Sequence, residues 1–272
     1  MPTPSYRAAA LAIAGVGVLL TAGCARTNSR ADTPYVARDV GTLYSAARTR
    51  LDRNMYKEAA KLFDEVERQH PYSVWARRAQ LMGAFSYYLD RDYTNAIQSA
   101  QRFLSVHPGN RDAPYAYYLI ALSYYEQISD VTRDQKITQQ ALDALGELTR
   151  RYPNTRYASD ARLKVDLVRD HLAGKEMEIG RFYEGRGQWL AASMRFRTVV
   201  DEYQTTTHTP EALMRLTETY LALGIRDEAR KSAAVLGANY PGTDWYERAH
   251  KLVQENPPVA APPAAAPAPT TN

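Results

Sequence analysis

The chain has 272 residues, 24% of them charged and 45% apolar, a composition typical of a globular protein that can bury a large core. Its 34 basic and 30 acidic residues are interspersed and leave a formal net charge of only +4. Nucleic-acid binding normally requires a basic stripe on one face. None is apparent in the sequence, so we expect no nucleic-acid partner.

Residues 1–23 are predicted to be a lipoprotein signal peptide. An apolar run from Ala8 to Ala22 follows Arg7, and at about fifteen residues it is too short to span a bilayer comfortably. The next string, Leu20-Thr21-Ala22-Gly23-Cys24, resembles a bacterial lipobox, although Thr21 stands where leucine is usual.

Cys24 is the only cysteine of the chain. In a lipobox it would become the first mature residue and carry S-diacylglycerol and N-palmitoyl chains, which anchor a protein firmly. The alternative is an ordinary cleaved signal with an incidental cysteine, but an unpaired thiol in an exported protein favours acylation. Ala25 follows where an aspartate would indicate inner-membrane retention, which favours the outer membrane. Residues 24–37 would form the tether.

A repeat begins after the tether. Four alanines are each followed twelve residues later by proline, and apolar residues stand four and seven positions after each alanine. The pairs are Ala59/Pro71, Ala96/Pro108, Ala141/Pro153 and Ala229/Pro241, and a degenerate fifth unit has Ala192 with Gln204 in the proline position. Offsets of four and seven place these residues on one helix face, and proline ends the preceding helix. This pattern is typical of tetratricopeptide repeats.

The sequence therefore predicts an all-α solenoid of about five helical hairpins without a sheet. We expect helices near 38–52, 56–69, 73–89, 93–106, 113–128, 135–151, 156–183, 188–203, 209–223, 226–239 and 243–254. Residues 38–155 would hold repeats one to three, and residues 156–254 a long linking helix and repeats four and five. Extra residues of the third unit fall in the polar stretch 129–136. Gly174 and Gly180 weaken the long helix, and a bend is expected there.

No catalytic or metal-binding pattern accompanies the repeat, so we expect neither an enzyme nor a metal or other cofactor. The five histidines are never spaced four apart, and Gly185-Arg186-Gly187 lacks the preceding strand of a phosphate-binding loop, which indicates a turn. Residues 255–272 are almost entirely proline, alanine and threonine and are predicted to be a disordered tail.

Tyrosine is the unusual residue, with 20 copies against 5 phenylalanines. Several copies form doublets on the first helices of units two and three, where a solenoid lines its inner curve. One ring of each doublet should be less buried than its neighbour. Two interpretations remain open: the rings fill a broad core between helices, or they form a groove for an extended peptide. The groove candidates are Tyr56, Tyr87, Tyr88, Tyr118, Tyr125 and His70.

Two further strings, Arg151-Tyr152-Pro153-Asn154 and Tyr183-Glu184-x-Arg186-Gly187-x-Trp189, resemble the BamD family of outer-membrane assembly lipoproteins. The similarity covers roughly residues 38–250. It implies a scaffold anchored on the periplasmic face of the outer membrane, bound to BamA and other lipoproteins of that machinery, and receiving unfolded outer-membrane proteins. A pilotin or a peptidoglycan-associated scaffold is the alternative function.

The resemblance also implies roles for particular residues. An arginine six positions after the family's tryptophan pairs with an acidic BamA residue, and these positions are Arg195 and Trp189 here. The N-terminal half receives the C-terminal targeting strand of barrel proteins, and an aromatic residue before the first repeat's proline takes part. In this chain that position is His70.

Overall fold

The computed structural model describes residues 38–257, and this part of the chain contains eleven α-helices and no strand. They are α1 (Val40–Asp52), α2 (Tyr56–Gln69), α3 (Val74–Leu89), α4 (Tyr93–Val106), α5 (Ala113–Tyr125), α6 (Lys136–Arg151), α7 (Arg156–Glu184), α8 (Trp189–Glu202), α9 (Thr209–Ala222), α10 (Arg226–Asn239) and α11 (Asp244–Glu255). The prediction of an all-α hairpin solenoid is confirmed. The predicted signal peptide, the whole tether with Cys24, and residues 258–272 of the tail lie outside the described residues.

The repeat alanines lie at the contacts between helices. All five of them are fully buried, and so are the three large residues Phe63, Leu145 and Phe196 that follow four positions later. A methyl group lets the neighbouring helix approach closely, and the larger side chains fill the space on either side. The predicted repeat register is therefore confirmed in all five units, including the degenerate one.

The second helix of every hairpin ends in the same way. The five residues that follow these helices leave the helical conformation, with φ between −124° and −136° and ψ between 38° and 55°, and each donates its backbone N–H to the carbonyl four residues earlier. They are His70, His107, Tyr152, Tyr203 and Tyr240. Proline follows four of them, and it disfavours helical geometry in the residue before it. His70 and His107 thus occupy equivalent positions at helix ends.

The turns inside four hairpins also share one backbone feature. A residue with positive φ lies two positions before the second helix: Asn54, Arg91, Gly187 or Gly224, with φ between 60° and 76°. This left-handed geometry favours glycine or asparagine, so Arg91 is the strained member. Gly187 places the Gly185-Arg186-Gly187 string in a turn between α7 and α8, as predicted. The third hairpin uses a longer connection, residues 126–135.

That longer connection differs slightly from the prediction. We expected α5 to reach residue 128, but it ends at Tyr125, and Gln127 and Ile128 bond to carbonyls three residues back. Such tightened turns are common at helix ends. The remaining connection is mostly exposed, as predicted, yet it is fixed to α7 because Lys175 Nζ donates to the Thr132 carbonyl at 3.0 Å.

The long helix α7 belongs to two core clusters. Its first half packs Ala161 and Val168 against α5 and α6, and its second half packs Ala173 and Met177 against α8 and α9. Gly180 is required for the second contact, because a Cβ atom there would lie 2.4 Å from Phe196 Cε1. Gly174 and Gly180, which have low helix propensity, both lie inside α7, and α7 is a single helix from Arg156 to Glu184.

Each helix packs against the next one along the chain. In addition, first helices of successive hairpins contact one another, in the pairs α1 with α3, α3 with α5, α5 with α7, and the final pair α9 with α11. The first helices α1, α3, α5 and α7 therefore form a continuous face, which we call the inner face.

Candidate functional site

A row of tyrosine rings lies on the inner face and extends to Tyr93, the first residue of the second helix α4. Tyr88 on α3 contacts Tyr93 at a centroid separation of 5.9 Å, and Tyr157 at the start of α7 contacts both Tyr115 and Tyr118 of α5, at 5.5 and 5.1 Å. All five rings are half-buried. Half-buried aromatic rings can offer an apolar surface to a partner while their hydroxyls stay hydrated or bonded. We call these five residues the tyrosine row.

Burial raises the pKa of two tyrosines of the row. Burial, together with Glu126, raises the pKa of Tyr88 to about 12. Burial also raises the pKa of Tyr115, with a further contribution from Tyr157 and Tyr88. The phenols of Tyr88 and Tyr115 therefore stay neutral at physiological pH, which suits them to apolar and hydrogen-bonding contacts.

Hydroxyl groups at the edges of the row are bonded to carboxylates of neighbouring helices. Tyr118 donates to Asp160 Oδ2 on α7 at 2.7 Å, and Tyr87 donates to Asp64 on α2. The hydrogen bond from Tyr118 is the main reason that the pKa of Asp160 is lowered. Burial raises the pKa of Asp64 despite its bond to Tyr87. These bonds fix the ring orientations.

The predicted groove residues divide into two groups. Tyr88 packs on the same core cluster as Tyr115, and Tyr118 shares the ring of Tyr157 with Tyr115, whereas Tyr125 lies further along α5 with the Lys164 ammonium 5.4 Å from its ring centroid. Tyr56 and His70 lie apart from the row, because they flank the two ends of α2, a second helix. Tyr93, Tyr115 and Tyr157 were not among the predicted groove residues, because their proximity to the row depends on how the hairpins stack and not on a local sequence pattern.

The tyrosine doublets do not divide into a buried ring and an exposed ring. Both members of all three doublets are half-buried. Adjacent rings point towards different neighbours: Tyr117 contacts Tyr152 at 5.6 Å, while Tyr118 contacts Tyr157. Each ring therefore has its own partner across a helix interface, and the expected difference in burial is not apparent.

A second surface lies on α8 at the start of the C-terminal half. Arg195 is 42% exposed and donates from Nη1 to Glu176 Oε2 on α7 at 3.1 Å. Leu190 and Met194 are each 64% exposed and lie one helical turn apart. Trp189 is half-buried at the first position of the helix. This combination of exposed apolar side chains with an orientated guanidinium is typical of a protein-binding surface.

Charged side chains behind this surface tie α7 to α9. Arg215 on α9 donates to Glu184 Oε2 on α7 at 2.8 Å, and Arg181 donates to both oxygens of Glu211 at 3.2 Å. The Glu184 side chain is only 9% exposed, and this burial raises its pKa. The hairpin that presents Arg195 is therefore joined to α9 by partly buried charge pairs.

The described residues offer little to a metal ion or to a bilayer core. Between residues 38 and 257, no group of three histidine or carboxylate side chains is arranged to hold a metal. No helix in that range is both long and apolar enough for a transmembrane span.

Comparison with known proteins gives the family. A model of the family YfiO, described as an outer membrane lipoprotein, matches residues 37–236. The outer membrane protein assembly factor BamD of Caulobacter vibrioides is 52% identical over 91% of this chain and 81% of its own length. The chain belongs to the BamD family. BamD of Rickettsia prowazekii is 46% identical over 87% of this chain and 93% of its own length.

This BamD-family chain is also similar to solved tetratricopeptide-repeat structures. One of them is a thermophilic protein from Thermus thermophilus, with 19% identity and a TM-score of 0.37 over 79% of this chain and 100% of the other. The family names support a role in outer-membrane protein assembly and an association with the outer membrane.

Proposed function

We propose that the chain is a non-enzymatic scaffold of the β-barrel assembly machinery, anchored through an acylated Cys24 to the periplasmic face of the outer membrane. It would bind a BamA-like barrel through its C-terminal half and unfolded outer-membrane proteins through its inner face. The observation that carries the proposal is the tyrosine row, an aromatic surface shared by α3, α5 and α7 within a chain of the BamD family.

The surface around Arg195 supports the BamA contact. Its guanidinium is exposed enough to meet a second carboxylate while Glu176 holds it in place. A partner acid would form a charge-assisted hydrogen bond, and the exposed Leu190 and Met194 would supply apolar contact around it. Trp189 would support the contact from the first turn of α8.

The tyrosine row supports the contact with unfolded substrates. Rigid aromatic rings bind extended apolar segments at low entropic cost, because each ring has only two side-chain torsions to fix. A row that crosses three helices can contact several residues of one extended strand. The other lipoproteins of the machinery would occupy the remaining surfaces of the solenoid.

Affinity capture from outer-membrane extracts tests the BamA contact. We expect the full chain to recover a BamA-like barrel, and Arg195→Glu to reduce that recovery at least tenfold, because a charge pair becomes a repulsion. Arg53→Glu, which reverses an exposed charge in the α1–α2 turn, is the matched control and should recover the barrel normally. Undiminished capture by Arg195→Glu would exclude the role of Arg195, and recovery of secretin or cell-wall fragments without a barrel would favour a pilotin or wall scaffold.

A further inference from the structure

One end of the N-terminal hairpins carries an exposed patch that neither candidate surface uses. Tyr72, in the turn between α2 and α3, is fully exposed, and Val74 and Trp75 of the first turn of α3 are 58% and 38% exposed. Val106, the last residue of α4, is 59% exposed and lies at the same end, because α3 and α4 are antiparallel neighbours. Four large exposed apolar side chains at one end are more than the isolated examples that ordinary surfaces show.

Arginines surround these apolar side chains. A cleft of about 360 Å³ beside Val74 is lined by the three arginines Arg77, Arg78 and Arg111, against the single carboxylate of Asp112. Arg78 lies 5.8 Å from the centre of the Trp75 ring, and Arg111 is within 3.7 Å of Asp112. Within residues 38–257, Arg77 and Arg78 take part in no ion pair. The patch therefore attracts anions.

The chain also enters the fold at this end. The first helix begins at Val40, and Tyr44, one turn later, contacts the Trp75 ring at a centroid separation of 4.8 Å. Cys24 precedes Val40 by sixteen residues, a length that spans at most about 55 Å when extended. A lipid on Cys24 would therefore keep the start of the first helix within about this distance of the bilayer.

We propose that this patch, formed by Tyr72, Val74, Trp75, Val106, Arg77, Arg78 and Arg111, rests on the headgroup region of an anionic phospholipid surface. Tryptophan and tyrosine partition to the bilayer interface because one end of each ring is apolar and the other polar. Arginines next to them gain about 1 kcal/mol each from an anionic surface. The contact would orientate the solenoid, because it adds a second point of attachment at the end of the fold where the chain enters the first helix.

Quenching of tryptophan fluorescence by lipids brominated on the acyl chains tests the proposal. The lipidated full-length protein is reconstituted into phosphatidylcholine vesicles with and without phosphatidylglycerol. The contribution of Trp75 is the difference between this chain and Trp75→Phe. We expect Trp75 to be quenched only in the vesicles that contain phosphatidylglycerol, and the quenching to disappear at high salt because ions screen the arginines.

Charge reversal supplies the matched comparison. Arg77→Glu with Arg78→Glu should abolish the quenching of Trp75, whereas Arg53→Glu with Arg133→Glu, two exposed positions at the opposite end, should leave it unchanged. All four side chains are exposed, so circular dichroism should show an intact fold. Equal quenching in vesicles of either composition, or no quenching at all, would overturn the proposal. A second outcome would also overturn it. If the chain with Arg77→Glu and Arg78→Glu kept the quenching of Trp75 but lost its cross-links to unfolded substrate, the patch would be a peptide-binding surface. Quenching of Trp75 does not depend on binding to a BamA-like barrel, so this proposal and the proposed function can fail separately.

Discussion

The Arg195 side chain is held in one orientation by the carboxylate of Glu176. In the chain alone the guanidinium is not free in solvent but held at 3.1 Å by a carboxylate on the preceding helix, whose side chain is 20% exposed. This contact restricts the rotamers of Arg195, so less entropy would be lost on binding the proposed BamA-like partner. The sequence could place Arg195 by its distance from Trp189, but it could not show Glu176, nineteen residues earlier, as its partner.

The bond between Tyr118 and Asp160 leads to a prediction about pH. Tyr118→Phe should reduce the free energy of unfolding by about 1 kcal/mol at neutral pH, the usual value of one hydrogen bond. The pKa of Asp160 is lowered in the folded chain, so this contribution is present above the ordinary carboxyl pKa. It should disappear as the pH falls through the folded-state pKa of Asp160, because the ionised acceptor is then lost.

Urea denaturation at neutral and acidic pH measures this difference. Tyr124→Phe is the matched control, since that ring is half-buried on the same helix and its hydroxyl makes no hydrogen bond in the described chain. A destabilisation by Tyr118→Phe that stays constant down to acidic pH would show that the ring packing, and not the ionised pair, is responsible.

At the scale of helices, the repeat pattern was the strongest source of prediction. The alanine–proline spacing predicted the buried face of each second helix and the residue at which it stops, and both are observed from Ala59 to Pro241. The end of α5 was predicted three residues too late, because the apolar pattern continues through Tyr124 and Tyr125 to Ile128. The chain there forms a tightened turn and not a further turn of α-helix. Periodicity records which residues are buried, not where the hydrogen-bond pattern changes.

Gly180 gives a prediction at this scale. Propensity alone favours Gly180→Ala by up to about 1 kcal/mol. The new methyl group would lie 2.4 Å from Phe196 Cε1, within a fully buried contact, and overpacking of this kind costs about 1–3 kcal/mol. We expect net destabilisation in thermal unfolding.

Gly146→Ala is the matched control for that experiment. Gly146 lies inside α6, and no atom stands within 4 Å of the Cβ it would gain, so the same substitution should stabilise the chain. Stabilisation by both substitutions would mean that α7 and α8 are not as closely packed as the structure shows.

For the whole molecule, the family and the solenoid could be read from the sequence, but the shared aromatic surface could not. Tyr88, Tyr115 and Tyr157 are far apart in the sequence and meet only because first helices contact one another. The rings pack between helices, as the core interpretation of the doublets expects, and they keep part of their surface in solvent, so that the groove interpretation stays a prediction. Repeat stacking creates such surfaces without any local sequence signal.

The most direct test of the scaffold is photo-cross-linking from the tyrosine row. Benzoyl-phenylalanine replaces Tyr88 or Tyr115 in the full chain, and Gln101, exposed on the second helix α4, is the control position. During synthesis of a barrel protein, we expect cross-links to the unfolded substrate from Tyr88 and Tyr115 but not from Gln101. Cross-links from all three positions alike, or from none of them, would contradict the account.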